Sequence, residues 1–298
     1  MRIHLRATAS FVALTSLLLT GCAAAEPPST GSDHTDTALS HVHAIVPAPD
    51  DDGFLLGTHE GLYAATADGQ LGSRVGSYGF DAMGLTAVDD TLIASGHPGR
   101  GTPGELGEGN LGIIRSSDGG TTWEPVAFTG EKDFHVLTAA PDGTLYGQET
   151  GSAQMLASTD RGATWSSTGA TLLSFALVVD ATGRIIAATP DGPQVSTDQG
   201  ATFGPLPDRP IMSLIAVSPD GQQLIGVGSK GSLWRSTTRD PSWRNIATAH
   251  GSAQAIAITD AGDILIVDDS GLSLLPSAYQ PLIERPQAPP SILDLALA

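Results

Sequence analysis

An eight-residue phrase, S-x-D-x-G-x-T-W, recurs along the chain and restricts its fold more than any other feature. It is complete at 116–123 (SSDGGTTW) and 158–165 (STDRGATW). At 196–203 (STDQGATF) Phe203 takes the place of the tryptophan, and at 236–243 (STTRDPSW) only the outer frame survives. Asp118, Asp160 and Asp198 are 42 and 38 residues apart. A period of about 40 residues is that of one four-stranded propeller blade. The phrase has the chemistry of a turn. Serine, aspartate and threonine side chains bond nearby backbone groups, glycine supplies positive φ, and the closing aromatic is an apolar wedge for the sheet. None of these supplies reaction chemistry.

The rest of the chain keeps the same beat. From His41 onward, short apolar runs alternate with turn signals such as 141–143 (PDG) and 219–221 (PDG), which reads as all-β with no helix. First strands fall at 43–46, 84–88, 136–140, 176–179, 214–217 and 256–258. Second strands follow at 54–58, 91–95, 144–148, 184–189, 223–228 and 263–267, and third strands at 61–65, 111–116, 153–158, 193–196, 232–236 and 271–275. The expected architecture is one propeller domain, 41–298, with six blades; seven is the alternative. The last residues, 289–298 (PPSILDLALA), read as one more strand that closes the ring or begins a seventh blade. One interval is longer than the others. Between the second and third strands of blade two, residues 96–110 form a glycine-rich insertion, the kind of loop in which function concentrates. Its glycines are too irregular for a phosphate-binding loop, and no helix pattern follows.

The repeated phrase resembles the Asp-box, or BNR repeat, of sialidases, sortilin-type domains and related β-propellers. In that family the box lies at the turn between the third and fourth strands, away from the functional face. The stretches 41–45 (HVHAI), 58–63 (THEGLY), 95–99 (SGHPG) and 133–137 (DFHVL) are also similar to bacterial lipoproteins known as glycosyl-hydrolase-like or exo-sialidase-like BNR proteins.

The beginning of the chain points to where it resides. A basic start (Arg2, His4, Arg6) leads into an apolar run at 9–20, too short for an ordinary membrane-spanning helix. Leu19-Thr20-Gly21-Cys22 resembles a bacterial lipobox, and Cys22 is the only cysteine in the chain. The resemblance implies cleavage after residue 21 and acylation of Cys22. Several acyl chains give stable membrane anchoring. Residues 23–40 are polar and rich in Pro, Gly and Ser, and read as a tether. The expected state is a monomer, anchored by lipid to a bacterial membrane on its extracytoplasmic side. A net charge of −18 argues against nucleic acid, which attracts Lys and Arg. No nucleotide or organic cofactor is expected.

The histidines carry the functional expectation. His43 and His135 begin first strands, where blade two has Met83; His59 and His97 sit in the loops after second strands. On a propeller all five positions fall on one face of neighbouring blades, the face called the top below. Imidazole is the commonest protein metal ligand, and a thioether adds softness. The set His43, His59, Met83, His97 and His135 therefore points to copper. Zinc follows if Met83 is a bystander and an Asp or Glu joins. His41 shares the side of His43 on a strand of period two, as a ligand or a neighbour. A structural role, through hydrogen bonding, is the competing reading of each histidine taken alone.

Two other functions remain open at this point. A glycan-cleaving enzyme needs two carboxylates about 5–10 Å apart; Asp81, Asp133, Glu60 and Glu149 fall where they reach the top face. A sialidase also needs an arginine cluster, and the early Arg-Ile-Pro motif of that family is absent here. The other alternative is a metal-free scaffold for a membrane or secreted protein.

Overall fold

The computed structural model describes residues 41–49, 53–206 and 210–277. Cys22, the tether and the segment 289–298 lie outside them. The described residues form a six-bladed β-propeller of antiparallel sheets. Blade one comprises Val42–Pro47, Phe54–Thr58, Gly61–Ala65 and Leu71–Val75. Blade two comprises Gly79–Val88, Thr91–Arg100, Ile113–Ser116 and Glu124–Ala127. Blade three comprises Phe134–Ala139, Leu145–Glu149, Gln154–Ser158 and Ser166–Thr171. Blade four comprises Ala176–Val179, Ile185–Ala188, Gln194–Ser196 and Gly204–Pro205. Blade five comprises Met212–Val217, Gln223–Gly228, Ser232–Thr237 and Arg244–Thr248. Blade six contributes Ala255–Ile258, Ile264–Asp268 and Gly271–Leu275. Strands pair in chain order within every blade. Each first strand lies beside the next, and the sixth returns to the first.

The second strands explain why the sequence shows continuous apolar runs instead of strict alternation. Each blade is packed on both faces, so a strand such as Phe54–Thr58 or Ile264–Asp268 is buried at every position. Six apolar clusters fill the six seams between blades. At the first seam Leu55 and Leu62 of blade one meet Phe80, Leu92 and Trp123 of blade two. Burial of each such side chain stabilises the ring by about 1.5–3 kcal/mol.

The eight-residue phrases close the turns between third and fourth strands. In the first, the Ser116 hydroxyl donates to Asp118 Oδ1 (2.8 Å) and accepts from the Gly120 amide (2.9 Å). Asp118 accepts from the Thr122 amide and hydroxyl, and Trp123 Nε1 donates to the Gly120 carbonyl. The phrases at 158–165 and 196–203 repeat the serine, aspartate and threonine bonds. Thr164 and Thr202 hydroxyls, then amides, then the serines draw Asp160 and Asp198 down to about 2. In the worn copy Ser236 reaches only the Asp240 carbonyl, at 3.4 Å, and buried Trp243 Nε1 has no partner.

The insertion differs from the expected loop. The hairpin of blade two does not end at Ser95; its strands pair on from Gly84↔Ser95 to Gly79↔Arg100. Two glycines allow this. Gly96 has φ +143°, and a Cβ there would lie 2.0 Å from the Asp81 carbonyl; at Gly99 it would lie 1.8 Å from that of Gly79. Beyond the hairpin, a short 3-10 turn, Gly104–Leu106, inserts fully buried Leu106 into the first seam. The insertion is thus anchored by its own core residue.

Candidate metal centre

The extended hairpin places polar side chains at the mouth of the axial channel. Two groups result, each of two histidines and one aspartate: His43, His59 and Asp81, and His97, Asp133 and His135. Within each, one ligand atom per residue lies within 4.8 Å of the others.

The first triad bridges blades one and two. His43 begins the first strand of blade one, which is tied at its start by the Val42 amide donating to Gln254 Oε1 (2.9 Å). His59 sits in a tight turn held by Thr58, whose hydroxyl donates to the Gly61 carbonyl and accepts from the Glu60 amide. Asp81 comes from blade two. Its Oδ1 is 3.1 Å from His43 Nε2 and its Oδ2 is 2.9 Å from His59 Nδ1. The two imidazole nitrogens are 3.5 Å apart. Burial, opposed by the Asp81 charge and reinforced by His59, His41 and His135, lowers the His43 pKa to about 4. His43 is therefore a neutral imidazole at neutral pH, the form that ligates metals.

The second triad bridges blades two and three. Asp133 Oδ2 is 2.6 Å from His135 Nε2 and 3.4 Å from His97 Nε2. Asp133 is 8% exposed. Between Asp133 and His135, the Phe134 amide donates to Ser95 Oγ (2.8 Å), while its ring is fully buried between Phe128 and Trp165. The insertion orients His97: Nδ1 lies 3.1 Å from the Gly109 carbonyl. A neutral imidazole that donates from Nδ1 presents the Nε2 lone pair, and it is Nε2 that faces Asp133. Backbone contacts of this kind fix the tautomer of metal-ligating histidines.

The contacts within the triads are close, yet most are not hydrogen bonds. Asp81 Oδ1, Asp133 Oδ2 and His135 Nε2 are buried and have no hydrogen-bond partner. Orphaned buried polar atoms are rare and call for an ion, a water or a functional role. Ligands about 2.0–2.2 Å from a tetrahedral zinc ion are about 3.4 Å from one another. The Asp–His separations of both triads and the His43–His59 separation, 2.6–3.5 Å, lie near or below that spacing, and no pair of ligand atoms within a triad is more than 4.8 Å apart. The two His/Asp groups can hold metal ions.

The remaining residues singled out in the sequence divide. Met83 lines the axial channel with His43 and His135 but belongs to neither triad. His41 is a neighbour of the first triad, with ring centroids 4.9 Å from His43 and 5.7 Å from His59. Glu60 is exposed and outside both triads. Glu149 is paired with Lys132. Asp81 and Asp133, two of the carboxylates singled out for the glycan-cleaving alternative, are each in contact with two imidazoles.

Neither a family model nor a curated protein matches the chain. Among solved structures it is similar to an ancestral GH74 enzyme, with 15% identity, a TM-score of 0.50 and coverage of 80% of this chain and 38% of that one. The GH74 xyloglucanase from Xanthomonas campestris gives 19% identity, a TM-score of 0.51 and coverage of 80% and 45%. A gluconolactonase-like protein gives 14% identity, a TM-score of 0.58 and coverage of 80% and 90%. The chain spans less than half the length of these GH74 enzymes. What is shared at these identities is the propeller.

Proposed function

We propose that the chain is an extracytoplasmic, lipid-anchored binding protein whose top face holds metal ions in its two His–His–Asp triads, with Cys22 as the anchor. The observation that carries the reading is the convergence of buried ligand atoms that lack hydrogen bonds: Asp81 Oδ1, Asp133 Oδ2 and His135 Nε2. The donor set orders the candidate metals. Two imidazoles and a carboxylate suit zinc(II) and then copper(II); the soft copper(I) ion would need Met83, which stands on the channel wall outside the triads. The GH74 neighbours give the glycan-cleaving alternative only loose support, through a common fold.

The test is elemental analysis of the untagged protein after incubation with zinc(II), copper(II) or copper(I) and desalting. Two ions per chain are expected with zinc(II). The paired change His43→Ala and His59→Ala removes one, and His97→Ala with His135→Ala removes the other. A protein that retains no metal, with its β-rich circular dichroism intact, refutes the reading.

A further inference from the structure

The two triads meet in one hairpin. Asp81, of the first, lies directly across the ladder from His97, of the second. Cross-strand partners have Cα atoms about 4.5–5.5 Å apart. His43 of one triad and His135 of the other line the same axial cavity, whose volume is 520 Å³. Each triad offers three ligand atoms. A zinc ion with three protein ligands keeps a fourth position for water or another molecule. Each loaded triad carries a net positive charge, because one carboxylate offsets only half of a divalent ion. Two adjacent cationic centres, each with a free position, match a ligand that has several anionic oxygens on one atom. Metal ions paired about 3.5–4 Å apart clamp the oxygens of a transferring phosphoryl group.

We infer that the loaded pair is a receptor for a single phosphoryl group, one oxygen on each ion, admitted through the channel mouth. This rests on the metal-binding reading above. The phosphoryl group belongs either to free phosphate or to a monoester, and the chemistry at the ions is the same for both.

The experiment is calorimetric titration of inorganic phosphate, and separately of phenyl phosphate, into desalted protein shown by elemental analysis to hold two zinc ions. The expected result is one phosphoryl ligand per chain with a sub-millimolar Kd. It is accompanied by at least a tenfold loss of affinity in His59→Ala and in His97→Ala, each confirmed to hold one zinc ion. Both side chains are substantially exposed, 45% and 40%, so neither change removes core packing. Tighter binding of phenyl phosphate assigns the site to monoesters and tighter binding of phosphate to the free anion; both orders support the inference. Two phosphates per chain, undiminished binding in the single-zinc variants, or no binding to the two-zinc protein overturns it. Failure to retain two zinc ions at the outset instead overturns the metal reading.

Discussion

Asp133→Asn separates a ligand from a structural carboxylate because the two roles predict opposite changes in stability. Asp133 Oδ2 is buried, with no hydrogen bond, and lies in contact with His97 and His135. A buried unsatisfied polar group costs about 1–3 kcal/mol, more when charged. Asparagine keeps the shape, removes the charge and brings an amide that can donate to His135 Nε2. At pH 8 in chelator the variant should therefore be more stable than the parent. At about 2–4 °C per kcal/mol for domains of 150–250 residues, the rise in Tm is roughly 2–12 °C. Saturating zinc offsets that advantage. At a free zinc concentration of about 1,000 Kd the parent gains about 4.1 kcal/mol. A 100-fold weaker site loses about 2.7 kcal/mol of that gain. Scanning calorimetry of both proteins, with chelator and with zinc, measures all four values. A variant less stable than the parent in chelator, with the same response to zinc, would show that the carboxylate is a structural partner of the histidines and refute the argument.

The turns give two more predictions. Ser116→Ala strips the Gly120 amide of its acceptor in a buried place and should cost about 1–3 kcal/mol. Ser236→Ala loses only a 3.4 Å contact and should cost less than about 1 kcal/mol; equal shifts in urea midpoint would contradict the hydrogen-bond account. The carboxylates of Asp160 and Asp198, held at about 2 by Thr164 and Thr202, contribute stability that is complete above the unfolded value of about 4. That contribution disappears as pH falls through 2, because the unfolded chain then binds the proton first. Asp198→Asn should flatten the acid limb of a stability–pH curve between about pH 4 and 2, and an unchanged limb counts against it.

The strand plan was legible because a blade packed on both faces leaves a continuous apolar run, bounded by turns whose chemistry repeats. The strands Phe54–Thr58, Gly61–Ala65 and Ala176–Val179 match their sequence readings residue for residue. The outer half of the blade-two hairpin was not legible. Gly96, Pro98 and Gly99 are loop signals, yet here the glycines permit close backbone approach and the ladder runs on to Arg100. That extension sets Asp81 opposite His97, and its absence from the sequence reading is why the histidines were grouped with Met83 for copper or zinc, with an aspartate or glutamate only as an unnamed zinc ligand, and were not divided into two His–His–Asp groups. The aspartates carried a usable signal: Asp81 and Asp133 each precede a channel-lining residue, Met83 and His135, by two positions.

No blade contains a whole triad: the first is divided between blades one and two, the second between two and three. Repeat proteins lengthen, shorten and shuffle by handling one unit at a time, since each unit contacts only its neighbours. That freedom is curtailed here over one arc. Losing or exchanging blade two would dismantle both triads at once, and doing so with blade one or three would dismantle one. Among the described residues blades four to six hold no such group, so that arc is free to change one blade at a time while the other is tied together as a block.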